Sequence, residues 1–176
     1  NATVTPRVET GSTPAPPPHH THTHTHIHTH MHGLGNAAVG VTFGLLSGAA
    51  VIAGLEHMGH SIFGTPKGLQ KDMPFEEVRE IVQQHIKESS PISLLWVIGA
   101  HGCGSLVGGF VAFKFAASPV FGKSAGVVGS LFLLGGLTNA LAIPHPYWWT
   151  TCDLLVYVPA AYAGASLVQS QTPLLS

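Results

Sequence analysis

Charged side chains are scarce in this chain: Asp, Glu, Lys and Arg make up only 9% of its 176 residues. An average soluble domain carries about 25% of them, so the composition argues against an ordinary water-soluble globule. The seven Lys and Arg nearly balance the eight Asp and Glu, which leaves no basic surface to hold a phosphate backbone. Nucleic acid is therefore excluded as a partner.

Cysteine is rare and the common catalytic motifs are missing. The two cysteines, Cys103 and Cys152, each lie in an apolar stretch without a second cysteine nearby. They cannot form a disulfide framework or a zinc knuckle. The sequence contains no nucleophile elbow, phosphate-binding glycine loop, dinucleotide fingerprint or haem-attachment motif. We therefore predict no catalytic residue and rank an enzyme behind a non-catalytic function.

Histidine, by contrast, is abundant and concentrated near the start of the chain. Residues 1–33 are dominated by Thr, Pro and His, a composition that predicts an extended or disordered tail. Seven histidines stand at every second position of this tail: His20, His22, His24, His26, His28, His30 and His32. In an extended chain they project from one side about 7 Å apart, and each His-x-His step can close on one Zn, Cu or Ni ion. The alternative is a low-complexity tail without a selected role, or a remnant of cloning.

From residue 34 the chain becomes strongly apolar. Residues 34–55, 94–113, 124–143 and 149–168 each have the length and apolarity of a membrane span. At about 1.5 Å per residue, a helix of about 20 residues crosses the roughly 30 Å hydrocarbon layer. None of the stretches alternates polar and apolar residues, so helices are favoured over a barrel. We predict an all-α, four-helix membrane domain over residues 34–170, with both termini on one side.

Between the first two spans, residues 72–88 have the pattern of an amphipathic helix. Apolar residues recur at spacings of three and four, at Phe75, Val78, Ile81, Val82 and Ile86. Such a helix lies along the membrane interface or packs over the end of the bundle. A solvated surface helix in a loop is the alternative.

Small residues are spaced for close helix contact on all four spans. They are Gly40, Gly44, Gly48, Ala100, Gly104, Gly108, Ala112, Gly122, Gly126, Ala160 and Gly164. Stripes of this kind let helix backbones approach where lipid removes the hydrophobic drive to associate. They predict a tightly packed bundle in the lipid bilayer, and either a homo-oligomer or a subunit of a larger membrane complex.

The distribution of basic residues indicates how the protein is oriented in the membrane. The tail side carries Arg7, Lys114 and Lys123, and the opposite side carries Lys67, Lys71, Arg79 and Lys87. Because basic residues are enriched on the cytoplasmic side, this distribution predicts an exterior or periplasmic tail.

The predicted topology also gathers ionisable residues at the end of the bundle away from the tail. The candidate metal ligands there are Glu56, His57, His60, His101, His145 and Asp153. Ionisable groups inside a membrane are costly and are therefore candidates for function, and imidazoles with carboxylates can hold Zn, Fe, Cu or Ni. The Glu-His-x-x-His order matches neither the zinc-protease nor the di-iron spacing. A hydrogen-bonded network that joins the helix ends, or a site for protons or a small ligand, is the alternative.

Several short motifs in the body of the chain carry a resemblance. They are Gly54-Leu55-Glu56, Gly59-His60, the glycine-rich residues 104–109, Asn139, the PHPYWW segment at 144–149 and the PAAYAG segment at 159–164. With these motifs, residues 39–167 resemble a group of small four-span bacterial membrane proteins of uncharacterised function. The resemblance implies a fold but no activity, and it does not include the His-rich tail.

Two functions from different classes remain. The leading prediction is an integral membrane protein that binds Zn, Cu or Ni and is loaded by its exterior His-rich tail, acting as a carrier, sensor or chaperone-like component. The competing prediction is a non-catalytic accessory subunit of a larger membrane complex, in which the polar residues are purely structural.

Overall fold

The computed structural model of the protein describes residues 23–116 and 122–171. Five helices follow one another in these ranges: α1 (Thr23–Phe63), α2 (Phe75–Glu88), α3 (Pro91–Phe115), α4 (Lys123–Ala142) and α5 (Tyr147–Gln171). All regular secondary structure in the described part of the chain is helical. The predicted all-α class is confirmed.

Four of the helices are long and apolar enough to cross a membrane. The qualifying segments are Gly35–Phe63, Pro91–Phe115, Lys123–Ala142 and Tyr147–Ser170. Each coincides with one of the four predicted spans, and many large apolar side chains on the outside of the bundle are exposed. A surface of this kind suits contact with lipid, as expected of a multi-pass membrane protein.

The first helix is longer than its apolar stretch at both ends. At its C-terminal end it continues beyond residue 55 until Gly64, whose φ of 92° and N–H bond to the His60 carbonyl (3.0 Å) terminate it. At its N-terminal end the backbone is helical from Thr23, which differs from the extended conformation predicted for residues 23–33. His20 and His22 lie outside the described residues, as do the side chains of the other tail histidines.

The amphipathic helix α2 begins at Phe75 rather than at residue 72. Asp72 has a φ of 72°, and Pro74 occupies the N-cap position, so both precede the helix. The apolar residues Val78, Ile81, Val82 and Ile86 are half-buried. Phe75, the first residue of the predicted apolar side, is 60% exposed. The apolar side of α2 is therefore only partly covered.

Helix α3 is the centre of the bundle, since its contacts with α1 and with α5 are the two most extensive helix contacts in the described residues. The glycine stripe of α1 packs directly against α3, since a Cβ atom added at Gly44 would lie 2.6 Å from the Gly108 carbonyl oxygen. On the other side of α3, a Cβ at Gly109 would overlap the Ala161 carbonyl of α5. The backbones are therefore in direct contact at these small residues. The close contact predicted from the stripes is confirmed between Gly44 and Gly108, whereas Gly109 and Ala161 lie outside the predicted stripes.

Candidate functional site

Three helices bring ionisable side chains together near one end of the bundle. Glu56 lies near the C-terminal end of α1, His101 in the first half of α3, and Asp153 with Tyr157 in the first half of α5. Glu56, His101 and Asp153 form one hydrogen-bonded group. We call these three residues, together with Tyr157, the polar cluster.

The inner side of the polar cluster is a tight contact between α3 and α5. Nδ1 of His101 lies 2.6 Å from Oδ1 of Asp153 and 2.8 Å from the Tyr157 hydroxyl oxygen. The Tyr157 hydroxyl also donates to Oδ2 of Asp153 at 3.3 Å, and its ring stacks on the imidazole with centroids 5.4 Å apart. Only 4% of the Asp153 side chain is exposed. Because a buried carboxylate needs hydrogen-bond donors, these two partners account for its position.

The outer side of the polar cluster is formed by Glu56. Its Oε1 lies 3.2 Å from Nε2 of His101, and 38% of its side chain is exposed. Both imidazole nitrogens of His101 thus face a carboxyl group. For hydrogen bonds to form on both sides, either the ring carries two protons or Glu56 or Asp153 is itself protonated. The cluster therefore holds one proton more than a neutral imidazole between two carboxylates would.

The sequence places these groups by simple helical spacing. Asp153 and Tyr157 are four residues apart and share one face of α5. Two tryptophans hold the neighbouring turns together: the Trp96 indole N–H donates to the Leu55 carbonyl (2.8 Å) and that of Trp149 to the Leu94 carbonyl (2.9 Å). Each of these bonds joins two helices next to the cluster.

The aromatic run at the start of α5 is divided between the core and the surface of the bundle. That run has the composition of an interfacial anchor, but Trp149 is only 3% exposed and belongs to the core, whereas Tyr147 is 93% exposed. The turn of the helix accounts for the difference, since residues two apart point to opposite sides.

A cavity of about 440 Å³ opens beside the polar cluster at the same end of the bundle. Its polar lining includes Glu56, His60, His101, Asn139 and His145. The same cavity is lined by Val82, His85 and Ile86, so α2 covers one side of it. Four of the six predicted ligand candidates, Glu56, His60, His101 and His145, therefore line one cavity. A fifth, Asp153, joins them through its hydrogen bond to His101.

His57 is the candidate that does not join the others. It is exposed and does not line the cavity, whereas His60 does. One residue along a helix is a rotation of about 100°, so His57 cannot share the face of Glu56.

His145 lies in the short connection between α4 and α5, outside the candidate spans. Its ring stacks on Trp149, with centroids 4.3 Å apart and planes 16° from parallel. Burial lowers the pKa of His145, and the nearby Asp153 carboxylate opposes this effect without cancelling it. The neutral imidazole is the form that suits this environment.

A preformed metal centre is absent from the described part of the bundle. Among residues 35–116 and 122–170, no three His, Cys, Asp or Glu side chains are arranged to hold a metal ion. In His101, both nitrogens already face carboxyl groups, so neither has a free lone pair directed at the cavity. Metal ligation by the six bundle candidates stays a prediction.

Tyr157 is the cluster residue that sequence reasoning missed. The available signal was its position four residues after Asp153, on the same helix face. Tyrosine is also common near membrane interfaces, so its presence in an apolar span does not by itself indicate a contact with His101.

No family model, curated protein or solved structure matches this chain. The resemblance to small four-span bacterial membrane proteins therefore stays a prediction. What can be proposed about function rests on the geometry of the polar cluster and its cavity.

Proposed function

We propose that this protein is an integral membrane protein that takes up and releases a proton at the polar cluster, as the proton-binding site of a transport protein. The observation that carries the proposal is the position of His101, whose two ring nitrogens lie 2.6 Å from Asp153 and 3.2 Å from Glu56. An imidazole can accept a proton at one nitrogen and release it from the other.

The difference in exposure between the two carboxyl groups gives the site a direction. The Glu56 side chain lines the cavity and is 38% exposed, whereas that of Asp153 is 4% exposed. A proton from the cavity would therefore reach Glu56 first, pass to Nε2 of His101, and leave Nδ1 toward Asp153. Tyr157 holds the Asp153 carboxyl in position through its hydroxyl.

The location of the cluster also favours function over structure alone. Ionisable groups within membrane spans are rare because of their desolvation cost, and those that occur face the bundle interior. Here two of them are buried, while the third opens to a cavity large enough for water. A purely structural network gains nothing from a carboxylate that opens to such a cavity.

Infrared difference spectroscopy tests the proposal. Spectra of the purified protein at about pH 5 and about pH 9 report protonation of carboxyl groups and imidazole in this range. We expect carboxyl and imidazole bands in the difference spectrum that are lost or shifted in Glu56→Gln and in His101→Gln. Glu80→Gln, which removes an exposed carboxylate on α2, serves as the matched control. A spectrum unaltered by Glu56→Gln would contradict proton exchange at this site and favour the accessory-subunit function.

The His-rich tail supports a second candidate function, and we propose that it loads Zn, Cu or Ni at the membrane surface. Its support is the number of imidazole ligands, since seven of the residues from 20 to 32 are histidines. This function is independent of the polar cluster, so a protein with both would bind metal outside the bundle and a proton inside it.

A further inference from the structure

The cavity beside the polar cluster is larger than proton exchange requires. It measures about 440 Å³, within the range of pockets that hold small organic ligands. We propose that it binds a small organic cation, with an ammonium group attached to an apolar body. This inference rests on the proposed function, since it assigns to the same Glu56 carboxylate a ligand as well as a proton.

The charge of the cavity favours a cation. Its described lining contains the Glu56 carboxyl group and no Lys or Arg. The groups in that lining that can carry positive charge are the histidines His60, His85, His101 and His145. Whichever of His101, Glu56 and Asp153 carries the additional proton, the three groups together have a net charge of −1. An anion at this position would be repelled, whereas a cation would compensate the charge next to Glu56.

Aromatic rings line the cavity together with the carboxylate. They belong to Phe63, Trp96 and Trp149, and the two indoles are fixed by hydrogen bonds to backbone carbonyls. Phe63 meets Trp96 edge-on with centroids 6.1 Å apart. Aromatic walls around a carboxylate are the chemistry that recognises quaternary or protonated amines.

The remaining lining favours an apolar body over a bare metal ion. Leu69, Val82 and Ile86 contribute aliphatic side chains to the wall. A metal ion would need several oxygen or nitrogen ligands at about 2 Å, and the described bundle residues offer no such group of three. An organic cation needs only one charge partner and apolar surface, and the cavity provides both.

Calorimetric titration with benzyltrimethylammonium tests the inference on the full chain in detergent. Its uncharged isostere, neopentylbenzene, isolates the effect of charge, and protein-free micelles give the blank. We expect the cation to bind and the isostere to bind at least about tenfold more weakly, which corresponds to about 1.4 kcal/mol. Glu56→Gln should weaken cation binding by a similar factor, whereas Glu56→Asp, which keeps the charge, should retain most of it. Glu80→Gln should bind like the unaltered protein.

Three results would overturn the inference: no binding of the cation, equal binding of the isostere, or unchanged affinity in a folded Glu56→Gln variant. Titration with Zn²⁺ alone adds a fourth, since Glu56-dependent zinc binding without cation binding would make the cavity a metal site. The infrared experiment separates the two proposals. If the infrared spectrum shows a Glu56-dependent carboxyl band but no cation binds, only the proposal of a cation ligand is contradicted. If the cation binds but the band is absent, only the proton-binding function is contradicted.

Discussion

Nδ1 of His101 and Oδ1 of Asp153 lie 2.6 Å apart and join α3 to α5 inside the bundle. Both side chains are buried, and the Tyr157 hydroxyl contacts each of them. A buried pair of this kind is costly to break because one partner is left without compensation. Removal of one partner is therefore expected to destabilise the bundle.

Asp153→Asn should destabilise the bundle more than Tyr157→Phe does. The first change removes the charge that faces His101, and we expect it to lower the free energy of unfolding by about 1.5–3 kcal/mol. The second leaves the His101–Asp153 contact in place and should cost about 1 kcal/mol. Thermal unfolding of the two variants in one detergent measures both effects. Equal stability of Asp153→Asn and the unaltered protein would show that the contact is energetically neutral.

Close backbone packing predicts contrasting outcomes for two glycines of α3. Gly109→Ala places a methyl group against the Ala161 carbonyl, whereas the Cβ of Gly99→Ala meets nothing within 4 Å. We expect the first variant to lose about 1–3 kcal/mol of stability because the helices must move apart. The second should be neutral or slightly stabilised, since alanine is the better helix former. Similar unfolding temperatures for the two variants would contradict the packing of α5 on this face of α3.

Two different features of the sequence predicted the positions of the helices and the grouping of ionisable residues at one end of the bundle. Span length and apolarity located the four long helices, because a lipid-exposed surface requires apolar residues all along it. Alternating direction of the spans then placed Glu56, His101 and Asp153 at one end. Composition could not predict which side chains form hydrogen bonds with each other, since these bonds depend on how each helix is rotated about its own axis. The rotation of α1 directs His57 away from the cavity, and the rotation of α5 places Tyr157 in contact with His101.

Helix ends were predicted less well than helix centres. The first span was expected to end at residue 55, where the sequence becomes polar, but α1 continues to Phe63. Two of its last polar residues, Glu56 and His60, line a cavity, whereas His57 is exposed and does not. Hydropathy alone cannot distinguish these two environments. Gly64, with its positive φ, was the better signal for the end of the helix.

His145 should make the protein sensitive to acid. Because burial lowers its pKa in the folded state, the unfolded chain binds a proton there at a higher pH than the folded chain does. Stability is then fully present above the unfolded pKa of about 6.5 and falls as the pH drops below it. His145→Gln should reduce this acid-side loss, measured as the change in unfolding temperature between about pH 7.5 and about pH 5.

The control for this effect is His57→Gln, which removes an exposed histidine of α1. It should retain the pH dependence of the unaltered protein. If both variants lose stability with acid as steeply as the unaltered protein, the titration of His145 is not its cause.

Four membrane crossings predict that both ends of the chain lie on the same side. Reporter fusions at Asn1 and Ser176 should therefore give the same signal, and a reporter inserted near Gln70 should give the opposite one. The connection around Gln70 lies between α1 and α2. Opposite signals from the two termini would mean that one of the four helices does not cross, and α3, which contains His101, would be the first to examine.

The His-rich tail should bind metal in a manner that depends on pH and not on the polar cluster. Imidazole ligands must be neutral, so protons compete with metal over about pH 5 to 7. We expect more than one Zn²⁺ or Cu²⁺ ion to bind near about pH 7.5 and to be largely released near about pH 5. A variant with the seven tail histidines replaced by asparagine should lose this binding, whereas Glu56→Gln should keep it. Elemental analysis after purification without immobilised metal provides the measurement. If the asparagine variant retains the metal, ligands other than the seven tail histidines hold it. Loss of that metal in Glu56→Gln would then place them at the polar cluster and contradict the proton-binding function.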